Sequence, residues 1–297
     1  MNDTQTKSRQ WLATGFGLAA VGLALRFLRD AIARRHWHWA RETGRHGTAL
    51  VTGASSGIGM KFAEMLAAQG HDLVVVARRE DRLTLLAQQL QMDHNITVEV
   101  LPADLTNAED LERVAARIEL LDDLELLVNN AGFGASEPFV ESDLTQQIDM
   151  IELHVIASTR LMRAALPGMV ARRHGGVINV SSTAGFFALP NNANYSATKA
   201  FLTVFSRALH FELRGTGVRV QALCPGLTRT GFAETPLPGT RASFPSFFYL
   251  PAETVVRQSL DALARDKVVF VPGFGYKLAA LLGRSGVISD VMALLLS

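Results

Sequence analysis

Thr48-Ala-Leu-Val-Thr-Gly-Ala-Ser-Ser-Gly-Ile-Gly59 is the stretch that decides the fold of this chain. A short apolar run ends in a loop carrying three glycines, and an amphipathic helical stretch opens directly from that loop. Gly53, Gly57 and Gly59 permit a tight turn and let the backbone approach a ligand, with Ser55, Ser56 and Ile58 between them. The first amides of a helix have no intrahelical partners, so the loop forms a cradle suited to a pyrophosphate. A glycine loop is informative only when it joins a strand to a helix within a first βαβ unit, and that is its setting here.

Beyond this loop, short β-rich runs alternate with longer helical stretches. Strands are expected at 48–52, 72–77, 97–101, 124–129, 177–181, 218–224 and 268–271, and helices at 58–69, 79–91, 107–121, 142–171, 194–214 and 252–266. Most of the strands are continuous apolar runs, as in parallel strands covered on both faces. The expected fold is α/β, a doubly wound seven-stranded parallel sheet forming one domain over 47–272. Gly70, Gly175-Gly176 and Gly215 to Gly217 fall where helices must stop, which predicts left-handed caps.

Composition narrows the function. The 297 residues carry a net charge of +1, which offers no electrostatic case for nucleic acid. The single cysteine, Cys224, excludes a disulfide within the chain. No set of metal ligands stands out, and no metal is expected.

The end of the second expected strand reads Val74-Val-Val-Ala-Arg-Arg79. An acid at this edge would bond the ribose 2′-hydroxyl of NAD, but Ala77 stands there, followed by Arg78 and Arg79. A guanidinium suits a 2′-phosphate, so NADP(H) is expected with Arg78 as its reader. Arg79 also reads as a simple solvated charge.

Tyr195 and Lys199 are four residues apart and therefore share a helix face, and Ser182 lies thirteen residues before the tyrosine. An ammonium beside a phenol favours the phenolate and would lower its pKa from about 10. Tyr195 would then serve as a general acid in reduction and a base in oxidation, with Ser182 holding the carbonyl oxygen. Lys199 would also hold the nicotinamide ribose.

Thr52 to Gly59, Asn129-Asn-Ala-Gly132, Ser182, Tyr195-x-x-x-Lys199 and Pro225-Gly226 occur in an order that resembles the short-chain dehydrogenase/reductase family. The resemblance runs from about residue 48 to residue 272. It implies that Asp104 binds the adenine ring and that Asn130, Ala131 and Gly132 lie close to the cofactor. It also implies cofactor contacts from Pro225, Gly226, Thr228 and Thr230, the last at the nicotinamide carboxamide. The family usually has asparagine where His154 stands, helping to hold a water that links the lysine to solvent. His154 is a candidate relay in its place, although an ungapped count from Ser182 points to Val155 instead.

The two ends of the chain are apolar. After a tail at 1–10, residues 11–25 lack any charge, and 11–28 would span roughly 27 Å as a helix. A membrane anchor, a cleaved signal peptide ending near Ala31-Ile-Ala33 and a helix packed on protein all fit this segment. Lys7 and Arg9 precede the uncharged run, and six arginines follow it from Arg26 to Arg45, five of them in a basic linker at 29–46. For an anchor, that asymmetry puts the catalytic part on the cytoplasmic side. The segment 231–250 reads as an apolar lid, and the helical tail 273–297 could cover the substrate mouth, pair subunits or touch the membrane.

The resulting expectation is a membrane-associated NADP(H)-dependent oxidoreductase. It would act on a carbonyl or secondary alcohol of a lipophilic molecule, with a homodimer possible. A soluble NAD-dependent alcohol dehydrogenase and a non-catalytic dinucleotide-binding scaffold are the alternatives.

Overall fold

The computed structural model describes residues 46–134, 137–230 and 246–283. Seven parallel strands form one sheet: β1 (Thr48–Thr52), β2 (Asp72–Ala77), β3 (Val98–Pro102), β4 (Leu124–Asn129), β5 (Gly175–Val180), β6 (Val218–Leu223) and β9 (Val269–Phe270). Their order is β3-β2-β1-β4-β5-β6-β9. The chain moves outward from β1 to β3, then returns so that β4 pairs with the other side of β1. The strands beside β1 thus lead in opposite directions, and the loops after β1 and β4 part to leave a crevice. A two-residue ladder, β7 (Thr228–Arg229) with β8 (Leu250–Pro251), stands apart from this sheet.

Helices cover both faces. On one, α1 (Gly57–Ala68), α2 (Glu80–His94) and α7 (Ala252–Ala264) bury Phe62, Leu66, Leu83 and Leu263 against Val51, Val75 and Val128. On the other, α3 (Ala108–Glu119) and α5 (Ser158–Arg172) bury Val114, Leu161 and Met169 against Leu50, Val74 and Leu127. The alternate residues of each strand therefore feed two separate cores, which is why these runs are apolar without alternation. Each fully buried side chain of this size contributes about 1.5–3 kcal/mol.

Two expectations need correction. The helix expected as one element over 142–171 is α4 (Leu144–Ile151), a π turn (Glu152–Ala157) and then α5. The π turn inserts an extra residue into the helical register, and His154, on it, is buried. Nor do Gly175 and Gly176 cap α5. Arg173 does so in the left-handed conformation (φ 55°), and the two glycines open β5 instead, paired with Val218 and Arg219. A Cβ on Gly175 would overlap Met169, so that glycine admits close packing where a cap was expected.

Helix α6 (Ala193–Glu212) follows a short 3₁₀ turn (Thr183–Phe186), and α8 (Phe274–Gly283) closes the described chain. The expected anchor at 11–28, nearly all of the linker, most of the expected lid and the last half of the tail lie outside the described residues. Among the described residues, no helix is long and apolar enough to cross a membrane.

Candidate active site

The crevice lies between the ends of β1 and β4, and Thr52 stitches them together. Its Oγ1 accepts from the backbone N–H groups of Asn130 (2.9 Å) and Ala131 (3.0 Å) and donates to the Val128 carbonyl (3.3 Å). The Asn130 amide donates to the Thr52 carbonyl at 2.9 Å. A Cβ on Gly59 would overlap that amide, so the third glycine makes room for Asn130. Gly57 has φ +61°, and a Cβ there would sit 3.2 Å from the Thr230 Cβ, which brings Thr230 against the glycine loop. No side chain caps α1, and its first turn holds no acid, so its amino-terminal field is left for an anion.

Two arginines border this cradle. Arg79 donates to the Ser55 hydroxyl (Nε 3.2 Å, Nη2 2.9 Å) and to that of Ser56 (2.9 Å). It is part of the loop rather than a loose surface charge. Arg78 is 73% exposed and lies 3.6 Å from an oxygen of Asp104. The other Asp104 oxygen accepts from the Thr106 N–H and hydroxyl. Asp104 therefore stands beside Arg78 and shapes the turn after β3.

At the far end of the crevice, Ser182 leaves β5 and caps the 3₁₀ turn, its Oγ accepting from the Ala184 N–H at 3.1 Å. The same hydroxyl is hydrogen-bonded to the Tyr195 phenol. The neighbouring Ser181 is buried and donates to the Lys199 carbonyl at 2.6 Å, so only Ser182 of the pair faces the phenol. Lys199 is buried, and its Nζ donates to the Val180 carbonyl at 3.0 Å. Nζ sits 5.6 Å from the centre of the Tyr195 ring. Burial lowers the Lys199 pKa to about 8, partly offset by Cys224.

Tyr195 does not behave as expected from its neighbour. Burial pushes the phenol up, and the Ser182 hydrogen bond pulls it back only in part. The lysine makes its hydrogen bond to a backbone carbonyl, and its own charge is disfavoured by burial, so it does not hold the phenolate in this arrangement.

His154 is 1% exposed and is bonded through both ring nitrogens. Nε2 accepts from the Phe133 N–H at 3.3 Å, which requires Nδ1 to carry the hydrogen and to donate to Thr198 Oγ1 at 2.9 Å. Thr198 passes its own hydrogen to the Tyr195 carbonyl at 2.9 Å. Burial and then the Lys199 charge hold the imidazole well below its ordinary pKa, so it stays neutral. A Cβ on Gly132 would meet Nε2 at 2.6 Å and the Lys199 amine at 3.5 Å, so that glycine clears the space for the ring. The expected relay has no spare ring nitrogen with which to hold a water here.

Pro225 and Gly226 follow β6, and Thr228 donates to the Gly226 carbonyl at 3.0 Å. Gly226 packs flat on Tyr276, whose ring would overlap a Cβ there. The Tyr276 hydroxyl accepts from the Leu227 N–H (3.1 Å) and donates to the Phe248 carbonyl (2.7 Å). Thr198 and Tyr276 thus support the crevice without being singled out in the sequence. Their partners are long-range, and no spacing signals them.

One group of metal-ligand types, His46, His71 and Glu125, has donor atoms within 4.8 Å of one another. It lies at the opposite, amino-terminal edge of the sheet. Its carboxylate accepts from the Gly47 N–H (2.7 Å) and meets His174 Nε2 (2.6 Å), which fastens the entry of β1 to β4.

An uncapped glycine cradle at the switch point, with serine, tyrosine and lysine converging beyond it, is the arrangement of a dinucleotide-dependent oxidoreductase. The family profile described as short chain dehydrogenase matches residues 47–238, and the chain belongs to that family. It is 35% identical over 220 residues to a very-long-chain 3-oxoacyl-CoA reductase of Anas platyrhynchos, covering 72% of this chain and 68% of that one. Among solved structures, a short-chain dehydrogenase from Sphingobium yanoikuyae in complex with NADPH superposes with a TM-score of 0.73. It is 37% identical, over 82% of this chain and 96% of that one. A bulky-bulky ketone specific alcohol dehydrogenase from Comamonas testosteroni is 34% identical with a TM-score of 0.69, over 76% of this chain and 86% of its own.

Proposed function

We propose that this chain is an NADP(H)-dependent oxidoreductase acting on a carbonyl or secondary alcohol of a lipophilic substrate. The observation that carries this reading is the convergence of Ser182, Tyr195 and the Lys199 amine, 5.6 Å from the centre of the phenol ring, at the edge that holds the glycine cradle.

The cradle suits a dinucleotide: α1 has no cap of its own, and its glycines leave the backbone bare. Gly53 to Gly59 would hold the pyrophosphate, Asp104 the adenine, Asn130 to Gly132 and Pro225 to Thr230 the nicotinamide end. Arg78, free of any bond to the loop and exposed, is the reader of a 2′-phosphate, and Ala77 leaves no acid to repel one. A bound nicotinamide supplies or accepts the hydride. Tyr195 Oη carries the proton to or from the substrate oxygen, and Ser182 Oγ steadies that oxygen as charge develops. Lys199, its amine 5.6 Å from the centre of the phenol ring, would hold the nicotinamide ribose. His154 is a positioning residue, tying the Phe133 loop to the backbone of Tyr195 through Thr198.

A lipophilic substrate is supported by the Phe133 ring beside His154. It is also supported by the acyl-CoA and bulky-ketone names of the relatives. Exposed Ile148 and Ile151 on α4 and Phe201 and Val204 on α6 favour a homodimer. The anchor at 11–28 and a cytoplasmic catalytic domain complete the proposal, tested by carbonate extraction of the full chain. A screen of ketones and aldehydes of graded chain length, with NADPH and NADH in parallel, tests the chemistry. Rates that rise with chain length and favour NADPH are expected, and turnover confined to short alcohols with NAD would overturn the reading.

A further inference from the structure

Helix α8 is apolar on both of its faces. Tyr276, Ala280 and Gly283 turn inward, onto the Gly226 loop, β9 and Phe187. Phe274, Leu278, Leu281 and Leu282 turn outward and are 84%, 51%, 62% and 44% exposed. Their spacing of four, seven and eight residues puts them in one stripe about a quarter-turn wide, with no charge within it. A stripe of this kind on a folded domain marks an interaction surface.

The chemistry beside the stripe says what the surface meets. A groove of about 530 Å³ runs between α8 and the outer edge of β9, lined by Arg265, Lys267, Lys277, Val269, Phe270 and Leu281. Three of its lining residues are cations and none is an acid. Leu281 belongs to both the groove and the stripe, and Lys277 stands on the flank between them, its amine 5.5 Å from the centre of the Phe270 ring. An apolar stripe flanked by cations complements an anionic bilayer, whose acyl region takes up the first and whose phosphates meet the second. We propose that α8 and this groove form an interfacial docking face by which the catalytic domain lies on an anionic lipid surface. This face is separate from the segment at 11–28 and rests on no part of the catalytic assignment.

Tyr276, on the inward side of the same helix, is bonded to the Leu227 N–H and the Phe248 carbonyl, which ties α8 to the segments that enter β7 and β8.

The test uses the full chain carrying Leu278→Cys, labelled with an environment-sensitive fluorophore; the native Cys224 is buried. Vesicles of phosphatidylcholine with about a third phosphatidylglycerol should blue-shift the emission, and spin-labelled lipids should quench it. A label at Met92→Cys, exposed on α2, should not respond. Lys267→Gln should raise the lipid concentration at half-shift about fivefold, as expected for roughly one neutralised charge near the surface. Three results would overturn the proposal. One is a probe at 278 that ignores vesicles. Another is one already buried without lipid, concentration-dependent if a second copy covers it and concentration-independent if the chain's own tail does. The third is equal response to neutral and anionic vesicles. None of these readouts depends on turnover, so a failed activity screen and a failed docking test are distinguishable.

Discussion

The His154 imidazole donates from Nδ1 to Thr198 Oγ1, 2.9 Å away, and Thr198 in turn donates to the carbonyl of Tyr195. A side chain on the π turn therefore sets the backbone that carries the phenol. With its other nitrogen taken by the Phe133 N–H and its pKa held well below 6.5, the ring has no role as a titrating group at neutral pH.

The rate of the wild-type enzyme should consequently show no inflection assignable to His154 between about pH 5.5 and 7.5. His154→Leu leaves the Phe133 N–H and the Thr198 hydroxyl short of a partner, at about 1–3 kcal/mol of stability. His154→Gln, which keeps a donor and an acceptor, should recover most of the loss in melting temperature and kcat. An inflection near pH 6.5 that disappears in the glutamine variant would restore the relay.

Tyr195→Phe should cut kcat by about 10²–10⁴-fold while dinucleotide affinity changes only a few-fold. In the proposed mechanism the phenol acts on the substrate oxygen, whereas the cradle is built from β1, α1 and the loop after β4. Steady-state kinetics with a fluorescence titration of NADPH separates the two effects.

Lys199 supplies a pH signature. Its folded pKa of about 8 lies below the 10.5 of the free side chain, so between these values the unfolded chain binds more protons. Its contribution to stability is fully present above the unfolded value and is lost as pH falls toward 8, a span worth roughly 3 kcal/mol. At pH 7 the buried ammonium is thus a cost. Lys199→Met should unfold at higher denaturant than wild type at pH 7, by about 1–2 kcal/mol after losing the bond to Val180, while losing turnover. That advantage should shrink by pH 10. Equal denaturation curves for the two proteins at pH 7 would contradict it.

The arginines should separate by cofactor. Arg78→Ala should weaken NADPH by about 1.5–3 kcal/mol and leave NADH nearly unchanged. Arg79→Ala releases the Ser55 and Ser56 hydroxyls and should weaken both dinucleotides together. Parallel titrations of the two variants give the answer, and equal losses of both cofactors in Arg78→Ala would move the 2′-phosphate to another residue.

Most of the sheet was legible from one dimension, because β1, β2 and β4 are apolar runs that need cover on both faces, and the glycine loop between β1 and α1 sets the first crossover. The Tyr195–Lys199 pair was legible for a similar reason: a four-residue spacing on a helix is local geometry. What only the tertiary structure decided depended on partners far along the chain. Arg78 and Arg79 are adjacent in sequence, yet only Arg79 meets the serines of the loop, because the end of β2 lies beside the end of β1. Ser181 and Ser182 are likewise adjacent, and the turn leaving β5 sends one to the Lys199 carbonyl and the other to the phenol. The π turn at Glu152–Ala157 has no periodicity of its own to announce it, and its effect, the inward placing of His154 against Gly132, follows from packing between β4 and α6. Local spacing determined the elements and the candidates, whereas which side chain faces which was decided by burial, since a buried polar group must find its hydrogen bond wherever the fold puts one.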